Sequence, residues 1–142
     1  MRYQTSSLML KGIRTTEARA AVIDELLPVL QTYVQEGDEL LAYDSIPMIH
    51  FITKTRPYLR NPWPVLYLPG EFGKALAEQE KARPLPVVLL TKSNPRTPSW
   101  PKNTNVHENP DTKLLQDFLS RNGYTVVWES SAFIIMIMEK ND

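Results

Sequence analysis

The sequence predicts an α/β fold: a three-layer, Rossmann-like sandwich with a mainly parallel sheet and an antiparallel C-terminal hairpin. Short apolar runs of strand length alternate with stretches in which apolar residues recur every three or four positions, which is typical of helices packed on a sheet. Near the C-terminus only three residues separate two such runs, too few for a crossover between parallel strands. The 142 residues fit a single domain, 1–142.

Composition excludes several classes of function. Sixteen basic residues balance sixteen acidic ones, so no overall field favours nucleic acid, and no nucleic-acid partner is expected. The chain has no cysteine and therefore neither disulfides nor thiolate metal sites. The longest apolar run, 132–138, is far shorter than the ~20 residues of a membrane span.

The first helix is expected to begin at an N-cap, Thr15 or Thr16, and to end near Gly37. Pro28 interrupts the pattern and predicts a kink or a locally lost hydrogen bond. The pattern indicates an amphipathic helix of about 20 residues. Its apolar face consists of side chains that recur every four residues: Val22, Leu26, Leu30 and Val34.

A buried interior strand is predicted at 39–43, followed by a short helix at about 45–53. Asp44 and Ser45 end the strand and offer an N-cap, and a proline in the first helical turn costs no hydrogen bond. The apolar residues of this helix recur at helical spacing: Met48, Phe51 and Ile52.

The next elements are less regular. A short strand is predicted at 65–68, a polar helix at 71–81 with Phe72 and Leu76 facing inward, and a fully buried strand at 85–90. The polar, proline-rich loop at 92–110 is longer than most loops inside a domain, which favours a functional or disordered segment.

The last helix is expected to begin at Asp111, with Leu114, Leu115 and Phe118 facing the core. Two strands, 124–128 and 132–138, then form the hairpin.

Asp44 and Ser45 are the first candidate site residues. They follow the predicted interior strand at its carboxyl end, where open α/β sheets place their ligand crevices. The alternative is that they only cap the next helix.

Arg56 and Arg60 lie in a proline-rich loop and are candidates for an anion site, since guanidinium groups bind phosphate through two parallel hydrogen bonds. The alternative is a solvated loop.

The sequence assigns no catalytic residue. A pair of His50 with Asp44 would allow general base chemistry, but six positions separate them, so they do not share one helix face. No nucleophile elbow, glycine-rich phosphate loop or metal-ligand spacing appears, so neither a cofactor nor a metal is expected. Two alternatives stay open: a free-standing α/β enzyme or nucleotide-binding protein with a crevice at Asp44 and His50, and an interaction module that uses Trp63 and Trp100.

Three segments carry a family resemblance. They are Leu-Lys-Gly-Ile-Arg-Thr at 10–15, Gly-Asp-Glu-Leu-Leu-Ala-Tyr-Asp-Ser-Ile-Pro-Met at 37–48, and Phe-Ile-Thr-Lys-Thr-Arg-Pro at 51–57. Together they resemble the soluble C-terminal domain of bacterial polytopic membrane glycosyltransferases, the relatives of dolichyl-phosphate-mannose protein mannosyltransferases and aminoarabinose transferases. The resemblance covers roughly residues 8–60 and the order of elements after them.

The resemblance implies an accessory role. The chain would be the excised tail of a longer cell-membrane protein, and it would face the periplasmic or extracytoplasmic side. The catalytic carboxylate would lie between early transmembrane helices, outside this chain. The domain would pack on the transmembrane part of the same polypeptide and help shape the site for a polyprenyl-phosphate-linked sugar or its acceptor. Asp44, Ser45, Arg56 and Arg60 are then the expected contact residues.

Overall fold

The computed structural model describes residues 3–4, 14–44, 46–82, 84–104 and 110–139. Two 3₁₀ turns, Tyr58–Arg60 and Pro64–Leu66, lie between the fourth strand and the third helix. In chain order the helices and strands are β1 Tyr3–Gln4, β2 Arg14–Thr15, α1 Glu17–Tyr33, β3 Glu39–Ala42, α2 Met48–Thr53, β4 Arg56–Pro57, α3 Glu71–Gln79, β5 Val87–Thr91, α4 Pro110–Arg121, β6 Tyr124–Glu129 and β7 Phe133–Met138.

The main sheet has five strands in the order β4-β3-β5-β7-β6. The pairs β3–β4 and β3–β5 are parallel, whereas β5–β7 and β6–β7 are antiparallel. The strands β1 and β2 form a separate antiparallel pair. The predicted α/β class and the C-terminal hairpin are therefore present, in an open sheet that is partly parallel and partly antiparallel.

Alternate residues of β3 contribute to two different apolar clusters. Leu40 and Ala42 pack with residues of α1 and α2, and Leu41 packs with residues of α3 and α4. Successive side chains of a strand point to opposite faces of its sheet. Both faces of β3 are consequently covered, which explains why this strand reads as a continuous apolar run.

Helix α1 follows its predicted start. The Thr16 hydroxyl caps it by accepting a hydrogen bond from the Arg19 backbone N–H at 3.3 Å. The helix ends at Tyr33, earlier than predicted, because Val34 already has extended backbone angles. Pro28 lies inside the helix and is exposed.

Helix α2 is shorter than predicted and presents a different face to the core. Of the three predicted apolar residues, Ile52 is buried, whereas Met48 and Phe51 are 51% and 65% exposed, and Ile49 is buried beside Ile52 instead. Both pairs are three residues apart, so spacing alone does not distinguish them. The residue that follows the helix, Lys54, has a left-handed backbone with φ of 54° and ends it.

Two further predictions were wrong. The expected strand at 65–68 is the 3₁₀ turn Pro64–Leu66; Pro64 and Pro69 flank it, and proline cannot donate to a strand ladder. Leu114 was expected to face the core but is 41% exposed, although its predicted companions Leu115 and Phe118 are buried. Part of the predicted 92–110 loop, residues 105–109, lies outside the described residues.

Candidate functional site

Asp44 links the carboxyl ends of β3 and β5. Its side chain is buried, and Oδ2 accepts a hydrogen bond from the Thr91 backbone N–H at 2.7 Å. A charged acceptor makes this bond stronger than one between neutral groups. The carboxylate therefore fixes the distance between the two strand ends, a role that neither the predicted ligand contact nor the alternative helix cap included.

The position of Asp44 in the topology is one at which α/β sheets bind ligands. β3 is followed in the chain by β4 on one side of it, and the next strand, β5, lies on its other side. The connection that follows β3 therefore runs toward one side of the sheet, and the connection that leads to β5 runs toward the other side. In open sheets a crevice forms outside the carboxyl ends of strands at such a switch point.

A cavity of about 170 Å³ lies at this point. Lys92 and Ser93, which directly follow β5, line it together with Asp44. Thr112 and Gln116 approach it from the first turns of α4, and its apolar wall comes from Tyr43, Leu90, Leu115 and Leu119. The cavity therefore combines an apolar wall with hydroxyl, amide, ammonium and carboxylate groups.

Local bonds hold the residues that follow β5. Lys92 forms an ion pair with Glu129 of β6. The Ser93 hydroxyl donates to Oδ1 of Asn103 at 3.3 Å, and Nδ2 of Asn103 donates to the Asn94 carbonyl at 3.3 Å. The start of the long loop is thus fastened beside the cavity.

The groups around this cavity are of the kind that bind a small ligand. It offers hydrogen-bond donors and acceptors to a small polar molecule or group. Across the described ranges, no group of three or more histidine, cysteine, aspartate or glutamate residues lies close enough to hold a metal ion.

The other predicted contact residues are not gathered at this cavity. Arg56 lies at the amino end of β3, where β4 pairs with Glu39, and its Nε donates to the Gly37 carbonyl at 2.8 Å. It lines a different cavity of about 430 Å³. Arg60 is exposed with φ of 56° and lines neither cavity. Ser45 lies outside the described residues.

His50 does not line the Asp44 cavity. It is buried and belongs to a series of hydrogen bonds with Thr53 and Thr55. The Thr53 hydroxyl donates to the Ile49 carbonyl at 2.6 Å, so it accepts from the Thr55 hydroxyl at 2.9 Å. Thr55 then accepts from Nδ1 of His50 at 3.2 Å. This order assigns the ring proton to Nδ1.

Burial also sets the charge of this ring. Desolvation lowers the pKa of His50 from 6.5 to about 4, because the protonated ring loses its hydration. The imidazole is therefore neutral near pH 7 and fixes the turn that joins α2 to β4.

The two loop tryptophans are packed rather than presented to solvent. Trp100 is 7% exposed and meets Phe133 edge-on, with ring centroids 5.7 Å apart. Trp63 is partly buried. Their burial counts against an interaction module built on exposed tryptophans.

Sequence reasoning missed most of the residues around Asp44. Lys92 and Ser93 follow a predicted buried strand just as Asp44 does, so the same argument from strand ends would have found them. Thr112 and Gln116 carry no such signal, because they reach the cavity only through the packing of α4.

No family model matches the chain, and no curated protein and no solved structure matches it either. In the part of the chain that the structure describes, no helix combines the length and the apolar character that crossing a membrane requires.

Proposed function

We propose that this chain is an accessory, non-catalytic domain of a membrane glycosyltransferase that uses a polyprenyl-phosphate-linked sugar. The domain packs on the transmembrane part of the same polypeptide, on the periplasmic or extracytoplasmic side of the cell membrane. The proposal starts from the resemblance of residues 8–60 to such domains. The observation that carries it further is the exposure of large apolar side chains within that stretch and just after it.

Four large apolar side chains within one short stretch of sequence are exposed. Met48 and Phe51 lie on α2, and Leu66 and Leu68 are 56% and 65% exposed in the segment before α3. We call these four residues the 48–68 apolar set. A contiguous patch of exposed large apolar side chains is typical of a surface that contacts a protein or a membrane, and we propose that these four form such a patch. A transmembrane partner would remove them from water.

The environment of the candidate catalytic residues supports an accessory role. His50 is bonded to Thr55, and the Asp44 carboxylate binds a backbone N–H of β5. His50 also does not line the Asp44 cavity, so a ligand there would not meet both members of a histidine–aspartate base. This favours a function of contact and support over one of bond breaking.

The predicted contact residues enter the proposal as two separate places. Asp44, with Ser45 after it, marks the carboxyl edge of the sheet, where the small cavity offers polar groups to a phosphate-linked sugar or an acceptor group. Arg56 lies at the opposite, amino edge of β3. Arg60 follows it in the sequence and is exposed.

We also propose that the layers form a Rossmann-like three-layer sandwich. Two observations support it: one apolar cluster joins the sheet to α1 and α2, and the other joins it to α3 and α4. Helices on both faces of a sheet with parallel strands are the arrangement of this class.

The complete reading frame of the gene tests the proposed function. Several apolar segments of about 20 residues should be encoded upstream of residue 1. Deletion of residues 1–142 from the intact enzyme should then abolish or reduce sugar transfer. A frame without such segments would contradict the proposal outright.

A second candidate function is a free-standing α/β enzyme or nucleotide-binding protein with its crevice at Asp44. The position of the 170 Å³ cavity at the switch point favours it, although His50 does not line this cavity. Binding of a nucleotide to the isolated chain that Asp44→Asn abolishes would support this candidate over the first.

A further inference from the structure

A mainly apolar groove, distinct from the two cavities described above, lies between α1, α2 and the loop that follows β5. Its volume is about 360 Å³, within the range of roughly 300–1,000 Å³ that is typical of small-ligand sites. The apolar side chains that form most of its walls include Ile23, Met48, Ile52, Phe133 and the rings of Trp63 and Trp100. This groove is separate from the Asp44 cavity and shares no lining residue with it.

Two of its walls contain hydrogen-bond donors that lack an acceptor. The indole N–H groups of Trp63 and Trp100 are both shielded from water, and neither has a partner among the residues that the structure describes. An unmade hydrogen bond of a buried donor costs about 1–3 kcal/mol. Because neither N–H has appreciable accessible surface, neither is open to a ligand in the groove.

Arg19 is the one charged side chain among the described residues that line the groove. Its guanidinium donates to three backbone carbonyls: those of Trp100 at 3.2 Å, Thr97 at 3.4 Å and Pro98 at 3.1 Å. No carboxylate among the described residues pairs with it. The guanidinium fastens the loop that carries Trp100, and its positive charge is not neutralised there.

These observations define one kind of ligand. The walls bury an apolar body, and the charge of Arg19 favours an anion. We propose that the groove binds a single-chain anionic amphiphile, taken up as a monomer: an alkyl chain that ends in a phosphate or carboxylate. This inference goes beyond the proposed function, because it concerns the isolated domain and holds whether or not a membrane part precedes it.

Binding of decyl phosphate to the isolated 142-residue chain tests the proposal. Titration is followed by calorimetry and by tryptophan fluorescence at concentrations at which decyl phosphate forms no micelles. We expect saturable 1:1 binding of decyl phosphate and weaker binding of decanol and decyltrimethylammonium. Inorganic phosphate alone should not bind, since it lacks the apolar body.

Charged substitutions at Met48 test whether decyl phosphate binds in the groove or elsewhere on the surface. Met48 lines the groove and is half exposed, so a charged residue is tolerated there without disturbing the core. Met48→Glu should weaken decyl phosphate binding about tenfold by repelling the head group, whereas Met48→Lys should weaken it much less. Phe51→Glu is the matched control, because Phe51 is exposed on the same helix but does not line the groove.

Several results would overturn the proposal. Equal affinity for decyl phosphate and decyltrimethylammonium would show that the groove does not select an anion. Equal losses in Met48→Glu and Phe51→Glu would show general adsorption to the surface. Sedimentation with anionic vesicles without binding of the monomer would identify a membrane surface as the ligand instead.

Discussion

At the scale of single residues, Asp44 has the clearest structural role. A buried carboxylate is stabilised only when hydrogen bonds replace its hydration, and the Thr91 N–H supplies one at 2.7 Å. Because this bond joins two strand ends, Asp44 shapes the edge of the sheet as well as the cavity beside it. A site at this edge therefore depends on the same bond that stabilises the fold.

Removal of the Asp44 side chain should destabilise the protein. Asp44→Ala leaves the Thr91 N–H without this acceptor, so the free energy of unfolding should fall by about 2 kcal/mol. Asp44→Asn keeps a side-chain oxygen and should cost less. Urea unfolding at pH 7 measures both changes as shifts of the midpoint.

The control for Asp44 is Asp117→Ala, because Asp117 is exposed on α4. Its removal should change stability by less than about 0.5 kcal/mol. Equal effects of Asp44→Ala and Asp117→Ala would show that the bond to Thr91 contributes nothing.

Buried His50 should make stability depend on pH. Its pKa is about 4 in the folded protein and 6.5 when unfolded, so the unfolded state binds more protons between these values. The contribution is complete above pH 6.5, is lost as the pH falls from 6.5 to about 4, and amounts to roughly 3 kcal/mol. Unfolding in urea at pH 7, 5.5 and 4 measures this loss.

Replacement of His50 tests whether this residue causes the pH dependence of stability. His50→Asn should remove most of this pH dependence, although it lowers stability at pH 7 as well. An unaltered slope in His50→Asn would mean that carboxylates account for the acid sensitivity.

Single residues were predicted unevenly from the sequence, for a physical reason. Asp44 was found because position after a buried strand is a local property of the sequence. The contacts of Arg56 depend on the pairing of β4 with β3, which no local pattern encodes, and it lies at the other end of that strand from Asp44. The burial of Trp100 could not be predicted from local sequence either, because Arg19, far away in the sequence, holds the loop of Trp100 over the core.

At the scale of elements, Pro28 is a local defect in α1. Proline has no backbone N–H to donate within the helix, and its ring crowds the preceding turn. Because the residue is exposed, the proline packs against no core. The surrounding apolar face must therefore hold the helix together across this position.

Replacement of this proline should stabilise the protein. Pro28→Ala restores a helical hydrogen bond, and we expect a gain of about 2 kcal/mol in unfolding free energy, reduced slightly by the greater freedom of the unfolded chain. Thermal unfolding measures the gain. Gln31→Ala, at another exposed position of α1, should change stability by only a few tenths of a kcal/mol; a loss of stability in Pro28→Ala would show that the proline is required.

The elements that the sequence predicted best are those with long periodic patterns. In helix α1 the predicted apolar residues from Val22 to Leu30 are buried, and the inward residues of α3, Phe72 and Leu76, were predicted correctly. Helix α2 has only six residues, so two rival faces fit its pattern, and tertiary packing selected Ile49 and Ile52. Packing also excluded Leu114 from the core.

At the scale of the whole molecule, the sheet changes character at β5. This strand pairs in parallel with β3 and antiparallel with β7. A long apolar run signals a buried strand but not the direction of its neighbours, so the sequence overestimated the parallel part. The three adjoining parallel strands, β4, β3 and β5, nevertheless form the edge at which the Asp44 cavity lies.

The central claim is that the 48–68 apolar set contacts the transmembrane part of the same polypeptide. Site-specific photo-cross-linking in membranes that contain the intact protein tests it most directly, with the reactive group at Phe51 or, as a control, at the exposed Lys113 on α4. The account predicts that the group at Phe51 cross-links this domain to a transmembrane segment and that the group at Lys113 does not. Equal cross-linking from both positions, or from Lys113 alone, would contradict it.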